Sequence, residues 1–250
     1  MSPAAPLRLG TRRSALAMAQ SQQVADALTA AAGRDVELVP ITSEGDVSRA
    51  SLSQLGGRGV FATRLREALL AGECDVLVHS LKDLPTADAP GLEIAAIPAR
   101  VDARDVVVTR DGTPLSALTG RVGTGSPRRI AQVRRRNPRV ELVDLRGNVD
   151  SRLSRVRDGE LDAVILAAAG LERLGADPGE LRFEPVGLAE WPTAPGQGAL
   201  AVEVRAADLD EPLGHAVAQL DDPSTRIAVT AERAVLAGLD AGCSAPVGVH

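Results

Sequence analysis

The chain has 250 residues, 44% of them apolar, enough to bury a core in about one or two domains, so a disordered chain is excluded. Its formal charge is −5, and its 28 basic residues are 27 arginines and one lysine, Lys82. The aromatic residues are Phe61, Phe183 and Trp191, which removes the stacking platforms of single-strand nucleic-acid binding, and the acidic balance argues against nucleic acid as a partner. Two cysteines and three histidines make neither a disulfide framework nor a conventional zinc site, and no apolar run reaches the roughly 18 residues of a membrane span. A reduced, cytoplasmic protein is expected, with no metal and no membrane partner. No segment reads as an exposed apolar interface, so a monomer is expected as well.

Arg12-Arg13 before Ser14–Ala19 imitates a twin-arginine export signal, but its apolar stretch is only six residues long and runs into Gln20. Leu7–Gly10 instead predicts a strand, and Leu16, Ala19, Gln20, Gln23, Val24, Ala27 and Leu28 predict an amphipathic helix to about Ala32. Val36–Ile41 is the next strand, and Phe61, Leu65, Ala68 and Leu69 share a helix face that stops at Gly72. Strands follow at Asp75–His79 and Leu92–Ile97, and Pro98 closes the first block. A second block has strands at Val106–Thr109, Arg121–Gly123, Glu141–Leu145 and Ala163–Ala167, each of the last two followed by a helical stretch. Pro195–Val204 reads as a return crossing, and Arg226–Ala237 as a helix. Alternating strands and helices point to an α/β fold with largely parallel sheets.

The blocks share segments. Arg8-Leu-Gly-Thr11 recurs as Arg121-Val-Gly-Thr124, and Gly72-Glu-Cys-Asp-Val-Leu77 as Gly159-Glu-Leu-Asp-Ala-Val164. Two similar lobes across a cleft are expected, and such clefts are preferred ligand sites.

Charge is uneven. Residues 121–157 hold 11 arginines against Glu141, Asp144 and Asp150, a net of +8 inside an acidic protein. Arg134, Arg135, Arg136 and Arg139 read as a solvated helix face. Arg128 and Arg129 differ, because Gly123–Arg129 leaves a strand and enters a helix with Ser126 as N-cap and Pro127 in its first position. Free backbone N–H groups beside two guanidinium groups make a carboxylate or phosphate site. Its glycines match neither a dinucleotide fingerprint nor a P-loop. Leu145-Arg-Gly-Asn148 repeats the arrangement with Arg146 at a strand end, with Arg152 following, and Arg12 and Ser14 hold the equivalent place in the first lobe. Together these predict a cleft for a polyanion.

Ser80-Leu-Lys-Asp83 reads either as a polar turn with a solvent-exposed Lys–Asp pair or as a site where the solitary lysine is required and its neighbouring carboxylate works on a cation or a proton. Cys74 reads as a small buried hydrophobe, whereas Cys243, in the loop Gly242-Cys-Ser-Ala-Pro246, is the better candidate for an accessible thiolate. His79 reads as structural. His215 and His250 carry no signal. A two-lobed module that captures a small carboxylate without chemistry explains the arginines, but not Lys82-Asp83 alongside a loop cysteine. A DNA-binding regulator is disfavoured, since no helix-turn-helix precedes the lobes.

At this point the ordered segments Thr11-Arg-Arg-Ser14, Gly56–Phe61, His79-Ser-Leu-Lys-Asp83, Gly123–Arg129, Leu145–Asn148, Leu166–Arg173, Pro195-Gly-Gln-Gly198 and Gly242–Pro246 are together similar to the porphobilinogen deaminase (hydroxymethylbilane synthase) family along nearly the whole chain. The resemblance implies an α/β fold of two similar lobes of the type II periplasmic-binding-protein kind around a cleft, with the start of a third α/β domain. It assigns residues 1–98 plus 199–216 to domain 1, 99–198 to domain 2, and 217–250 to the beginning of domain 3, which looks truncated at His250. It implies a transferase that joins four porphobilinogen molecules into a linear tetrapyrrole on a dipyrromethane cofactor, linked by a thioether to Cys243. Asp83 would be catalytic, assisting loss of the amino group and stabilising the resulting azafulvenium cation. Lys82, Asp83, Ser126, Arg128 and Arg129 would hold the cofactor. Arg12, Ser14, Arg146, Arg152 and Arg173 would hold the carboxylates of substrate and growing chain, with Gln197 at the lobe crossing. Three positions depart from the family's usual residues: Gln54 and Arg58 stand where lysine is common, and Gly125 where serine is common.

Overall fold

A computed structural model describes residues 5–42, 60–241 and 245–250, with the side chains of Val60 and Phe61 excepted; Gln54, Arg58 and Cys243 lie outside the described residues. The chain divides into two compact units, Met1–Arg100 with Ala199–Cys243, and Val101–Gly198 with Ser244–His250.

In unit 1, strand β1 (Leu7–Arg12) pairs in parallel with β2 (Val36–Ile41) and β3 (Val76–Ser80). β4 (Leu92–Ala96) lies at the edge, and β10 (Leu200–Arg205) inserts antiparallel between β3 and β4, giving the order β2-β1-β3-β10-β4. Unit 2 repeats the plan. Its β6 (Arg121–Gly123) pairs in parallel with β7 (Glu141–Val143) and β8 (Ala163–Ala167), β5 (Asp105–Thr109) runs antiparallel beside β8, and β9 (Arg182–Pro185) closes the order β7-β6-β8-β5-β9. The antiparallel strand arrives late in unit 1 and first in unit 2, because the chain passes between the units after Arg100 and again after Gly198.

The recurring Arg-x-Gly-Thr segments occupy the same place in both sheets, and their glycines do the same work. A Cβ on Gly10 would sit 2.7 Å from Leu77 Cδ2, and one on Gly123 would sit 2.7 Å from Leu161 Cδ1. Bare backbone at these points lets neighbouring leucines close over the central strand.

Unit 1's helices are α1 (Ala15–Ala32), α2 (Val60–Leu70), α6 (Pro212–Ala218) and α7 (Pro223–Gly238), and unit 2's are α3 (Pro127–Arg136), α4 (Val149–Arg157) and α5 (Ala168–Arg173). α1 starts on the Ser14 cap and stops at Gly33, whose φ of 61° suits glycine. Leu9, Val24, Leu28, Val76 and Val202 centre one core cluster of unit 1, and Leu145, Leu153, Val164 and Leu166 one of unit 2.

Several boundaries move. β1 runs two residues beyond the expected Gly10. Asp75 lies before β3, because its carboxylate is turned to Arg8, accepting from the backbone N at 2.9 Å and from Nη2 at 2.7 Å. The Ser80–Asp83 segment is no open polar turn: Leu81–Asp83 form a 3-10 turn whose Leu81 is fully buried. β9 is not predicted from the sequence, since Arg-Phe-Glu-Pro is only four residues long and holds a proline, which an edge strand tolerates. α7 and the residue after it expose Ile227, Val235 and Leu239 (73%, 45% and 60%). Residues 217–241 pack in unit 1 and 245–250 in unit 2. No helix among the described residues is long and apolar enough to cross a membrane.

Candidate functional site

In unit 1 the site grows from two strand ends. β1 delivers Arg12, and Ser14 caps α1 by accepting from Ala17 N at 3.2 Å, which leaves its hydroxyl hydrogen to give elsewhere. β3 ends at Ser80 and feeds the 3-10 turn. Leu81 N donates to Ala199 O at 3.0 Å, and the buried Leu81 side chain turns Lys82 and Asp83 toward the surface. Arg12, Ser14, Gln20, His79, Ser80 and Asp83 then line one pocket. Ser80 donates to Gln20 Oε1 at 3.0 Å, tying helix α1 to the end of β3. Lys82 shares the turn without lining that pocket.

Beneath the turn lies a buried charge network. Glu203 on β10 accepts three hydrogen bonds from Arg66, the shortest 2.7 Å, and meets His79 Nε2 at 3.2 Å. Burial alone would push the Glu203 carboxyl up, but His79 and Arg66 hold it below the ordinary value. Glu203 thus fixes the His79 ring at the wall of that pocket.

In unit 2, Ser126 caps α3 and accepts from Arg129 N at 3.5 Å, with Pro127 at the first helical position, as the sequence predicts. Arg128 and Arg129 do not reach into solvent; they are 4% and 7% exposed. Both lean on Asp105, a wholly buried carboxylate at the head of β5. Arg129 Nη2 reaches Oδ1 at 2.6 Å and Arg128 Nη2 reaches Oδ2 at 2.9 Å. Trp191 Nε1 donates to Oδ2, and Gln197 Nε2 to Oδ1, both at 2.8 Å. Burial alone would raise the Asp105 carboxyl, yet Arg129 and Arg128 pull it far below the carboxylate range.

This arrangement spends the guanidinium tips and spares their edges. The Nε atoms of Arg128 and Arg129 are buried and without a partner among the described residues, as is Nε of Arg173, whose Nη2 donates to Gly198 O at 2.8 Å. Arg152, held by Gly147 O at 2.9 Å, is pushed down by burial and by repulsion from Arg129 and Arg146. Crowded cations with orphaned donors want an anion, and a carboxylate supplies both the charge and the acceptor. A group bearing several carboxylates fits this cradle.

Of the arginines read as a solvated face, Arg134, Arg135 and Arg139 are exposed, and Arg136 also stacks over Trp191, 5.4 Å from the ring centre. The sequence reading missed Asp105, Trp191 and Glu203. An acid heading an otherwise apolar strand is the signal for Asp105.

Fold and geometry together define a class, an α/β protein of the two-lobed binding-protein kind whose units each present polar and cationic side chains at strand ends. Over 90% of this chain and 96% of the other, the fold is similar to that of a periplasmic substrate-binding protein of an ABC transporter from Coxiella burnetii, at 15% identity and a TM-score of 0.51. That likeness is one of fold alone. The family model "Porphobilinogen deaminase, dipyromethane cofactor binding domain" matches residues 7–211, and "Porphobilinogen deaminase, C-terminal domain" matches residues 226–250. Porphobilinogen deaminase of Leifsonia xyli subsp. xyli is 59% identical over 246 residues, covering 97% of this chain and 74% of that protein. Porphobilinogen deaminase 1 of Streptomyces coelicolor is 60% identical over 248 residues, covering 97% and 76%. The chain belongs to the porphobilinogen deaminase family. It is a transferase of tetrapyrrole biosynthesis, which joins four porphobilinogen molecules into hydroxymethylbilane with a dipyrromethane cofactor.

Proposed function

We propose the following division of labour for that reaction in this chain. Asp83 is the catalytic carboxylate, Arg12 and Ser14 hold the carboxylates of porphobilinogen in unit 1, and Lys82 works from the same turn on the cofactor. Ser126, Arg128 and Arg129 hold the acetate and propionate groups of the dipyrromethane, and Arg146, Arg152, Arg173 and Gln197 serve incoming porphobilinogen and the growing chain. The observation that carries this reading is the pair of orphaned Nε donors on Arg128 and Arg129 behind their shared Asp105.

The thioether anchor is Cys243. Of the sequence's two cysteines, Cys74 is fully buried, and burial pushes its thiol up to about 11, so it stays protonated and sealed at neutral pH. A free thiol kept in a core also suits the cytoplasm. Residues 226–250, matched by the C-terminal domain model, support reading 217–250 as the opening of domain 3.

The dipyrromethane supplies the pyrrole carbon on which the chain begins. Asp83 accepts from a pyrrole N–H, and its negative charge stabilises the cation left when the amine departs. The arginines fix the rings by their carboxylates, so each addition meets the same aspartate in the same orientation.

Two variants test the reading. Wild type is expected to carry one dipyrromethane in its intact mass, and Cys243→Ser to lack it. Asp83→Ala is expected to lose turnover while still binding porphobilinogen. Full activity in Asp83→Ala, or retained cofactor mass in Cys243→Ser, overturns the corresponding assignment. Closure on a simple dicarboxylate with no tetrapyrrole formed by wild type would instead favour a binding module.

A further inference from the structure

Helix α7 packs against the turn that carries Asp83. Val229 shares one apolar cluster with Leu81 and Leu84, the residues on either side of Lys82-Asp83. One helical turn further on, Arg233 reaches back to the backbone of the same segment. Its Nη1 donates to Leu84 O at 3.0 Å and to Leu81 O at 3.4 Å, and its Nη2 donates to Pro85 O at 2.6 Å.

These bonds fall where the turn is weakest. A 3-10 turn has poor internal geometry, and this one closes on itself through Leu84 N to Leu81 O at 3.1 Å. The planar fork of a guanidinium can span carbonyls that face different ways, which a single ammonium cannot. Arg233 has no carboxylate partner among the described residues, and burial and the charge of Arg66 both push its pKa down. A half-buried cation given over to carbonyls alone is a poor stabilising device. As a clamp on a loop it makes sense.

The helix that carries the clamp is itself fixed. Asp222 caps it by accepting from Thr225 N at 2.7 Å. Glu232 accepts from Arg100 at 2.6 and 3.1 Å, and Arg100 N donates to Thr225 Oγ1 at 3.0 Å. Any play in the Asp83 turn is therefore resisted by a helix held at its N-terminus and again at Glu232, beside Arg233. The same helix leads, four residues beyond Leu239, to Cys243.

We propose that Arg233 is a positioning residue for Asp83: by gripping the carbonyls of Leu81, Leu84 and Pro85 it sets the height and direction of the carboxylate in the unit 1 pocket. The inference rests on the reading of Asp83 as the catalytic carboxylate. Arg233 touches no reacting atom, and its loss leaves the carboxylate-binding arginines in place. The consequence belongs to the chemical step rather than to substrate capture.

The test uses the cofactor-loaded protein, with loading measured by intact mass and rates normalised to the loaded fraction. Arg233→Gln is expected to lower kcat for porphobilinogen consumption by roughly ten- to a hundredfold, the cost of a misplaced catalytic group, with KM within about twofold of wild type. Arg233→Lys, which can reach one or two carbonyls, is expected to fall between them. An unchanged kcat in Arg233→Gln, with only the melting temperature lowered, overturns the proposal and makes Arg233 a plain stabilising contact. If Arg233→Gln does not fold, Arg233→Lys decides: a kcat equal to wild type overturns the proposal. Asp83→Asn separates the two claims. Activity retained there removes the reading of Asp83 itself, whereas an inactive Asp83→Asn beside a fully active Arg233→Gln removes only the clamp.

Discussion

Both oxygens of Asp105 are taken, by Arg129 and Gln197 on one side and by Arg128 and Trp191 on the other. The carboxylate neutralises one of two adjacent cations and fixes the orientation of both. Asp105→Asn keeps the size but removes the charge, and whichever side its amide N–H₂ takes, it faces an arginine that can only donate. Removing one partner of a buried ion pair costs about 3–5 kcal/mol, because the remaining charge is left uncompensated. The expected result is a fall in the melting temperature of roughly 10 °C, together with poorer retention of dipyrromethane in the intact mass. A variant that melts with wild type and carries full cofactor would show that the arginines hold their places unaided. Gln197 is drawn into the same network, so its buried amide joins the support of the arginines to any contact with the chain.

At the scale of elements, the strand ends were legible because they carry local grammar. Ser14, Ser126 and Asn148 cap helices in the structure, and the two Arg-x-Gly-Thr segments fall at matching central strands. What could not be read was long-range pairing. Asp105 is 24 positions from Arg129 and 86 from Trp191, and nothing in its own neighbourhood names either partner. Arg233 lies 149 positions from Leu84, and β9 is too short at four residues to carry a readable period. The family departure at Gly125, by contrast, gains a physical reason. A Cβ there would meet the Leu145 carbonyl oxygen at 2.8 Å and Asp144 Oδ1 at 3.2 Å. Restoring serine, the residue common in the family, must therefore move the backbone just before Arg146. Gly125→Ser is expected to cost about 1–3 kcal/mol of stability, as overpacking does. It should also raise KM for porphobilinogen, since Arg146 shifts with the carbonyl. Steady-state kinetics beside thermal melts check this, and an unchanged KM would mean that the strain is absorbed elsewhere.

For the molecule as a whole, the acidic total and the arginine-rich stretch answer different questions. The net −5 sums the whole chain, whereas the work falls to cations that are partly or wholly buried, with buried acids among them in both units. Glu203 serves unit 1 and Asp105 serves unit 2, and both are held below their ordinary values by neighbouring cations. In the unfolded chain the same groups titrate near their reference values, about 4.3 for Glu and 3.9 for Asp. Above that range both states are ionised, so the contribution of these groups to stability is complete and independent of pH. As the pH falls through the unfolded values, the unfolded chain takes up protons that the folded chain refuses, and stability drops by about 1.4 kcal/mol per pH unit for each group. The loss continues until the folded values are reached. Melting temperatures are thus expected to hold level from neutral pH to about 5 and to decline steeply below about 4. Asp105→Asn should remove one proton from that dependence, giving a variant less stable at neutral pH but flatter toward acid. Parallel acid limbs for wild type and Asp105→Asn would assign the acid lability to Glu203 and the remaining paired carboxylates instead.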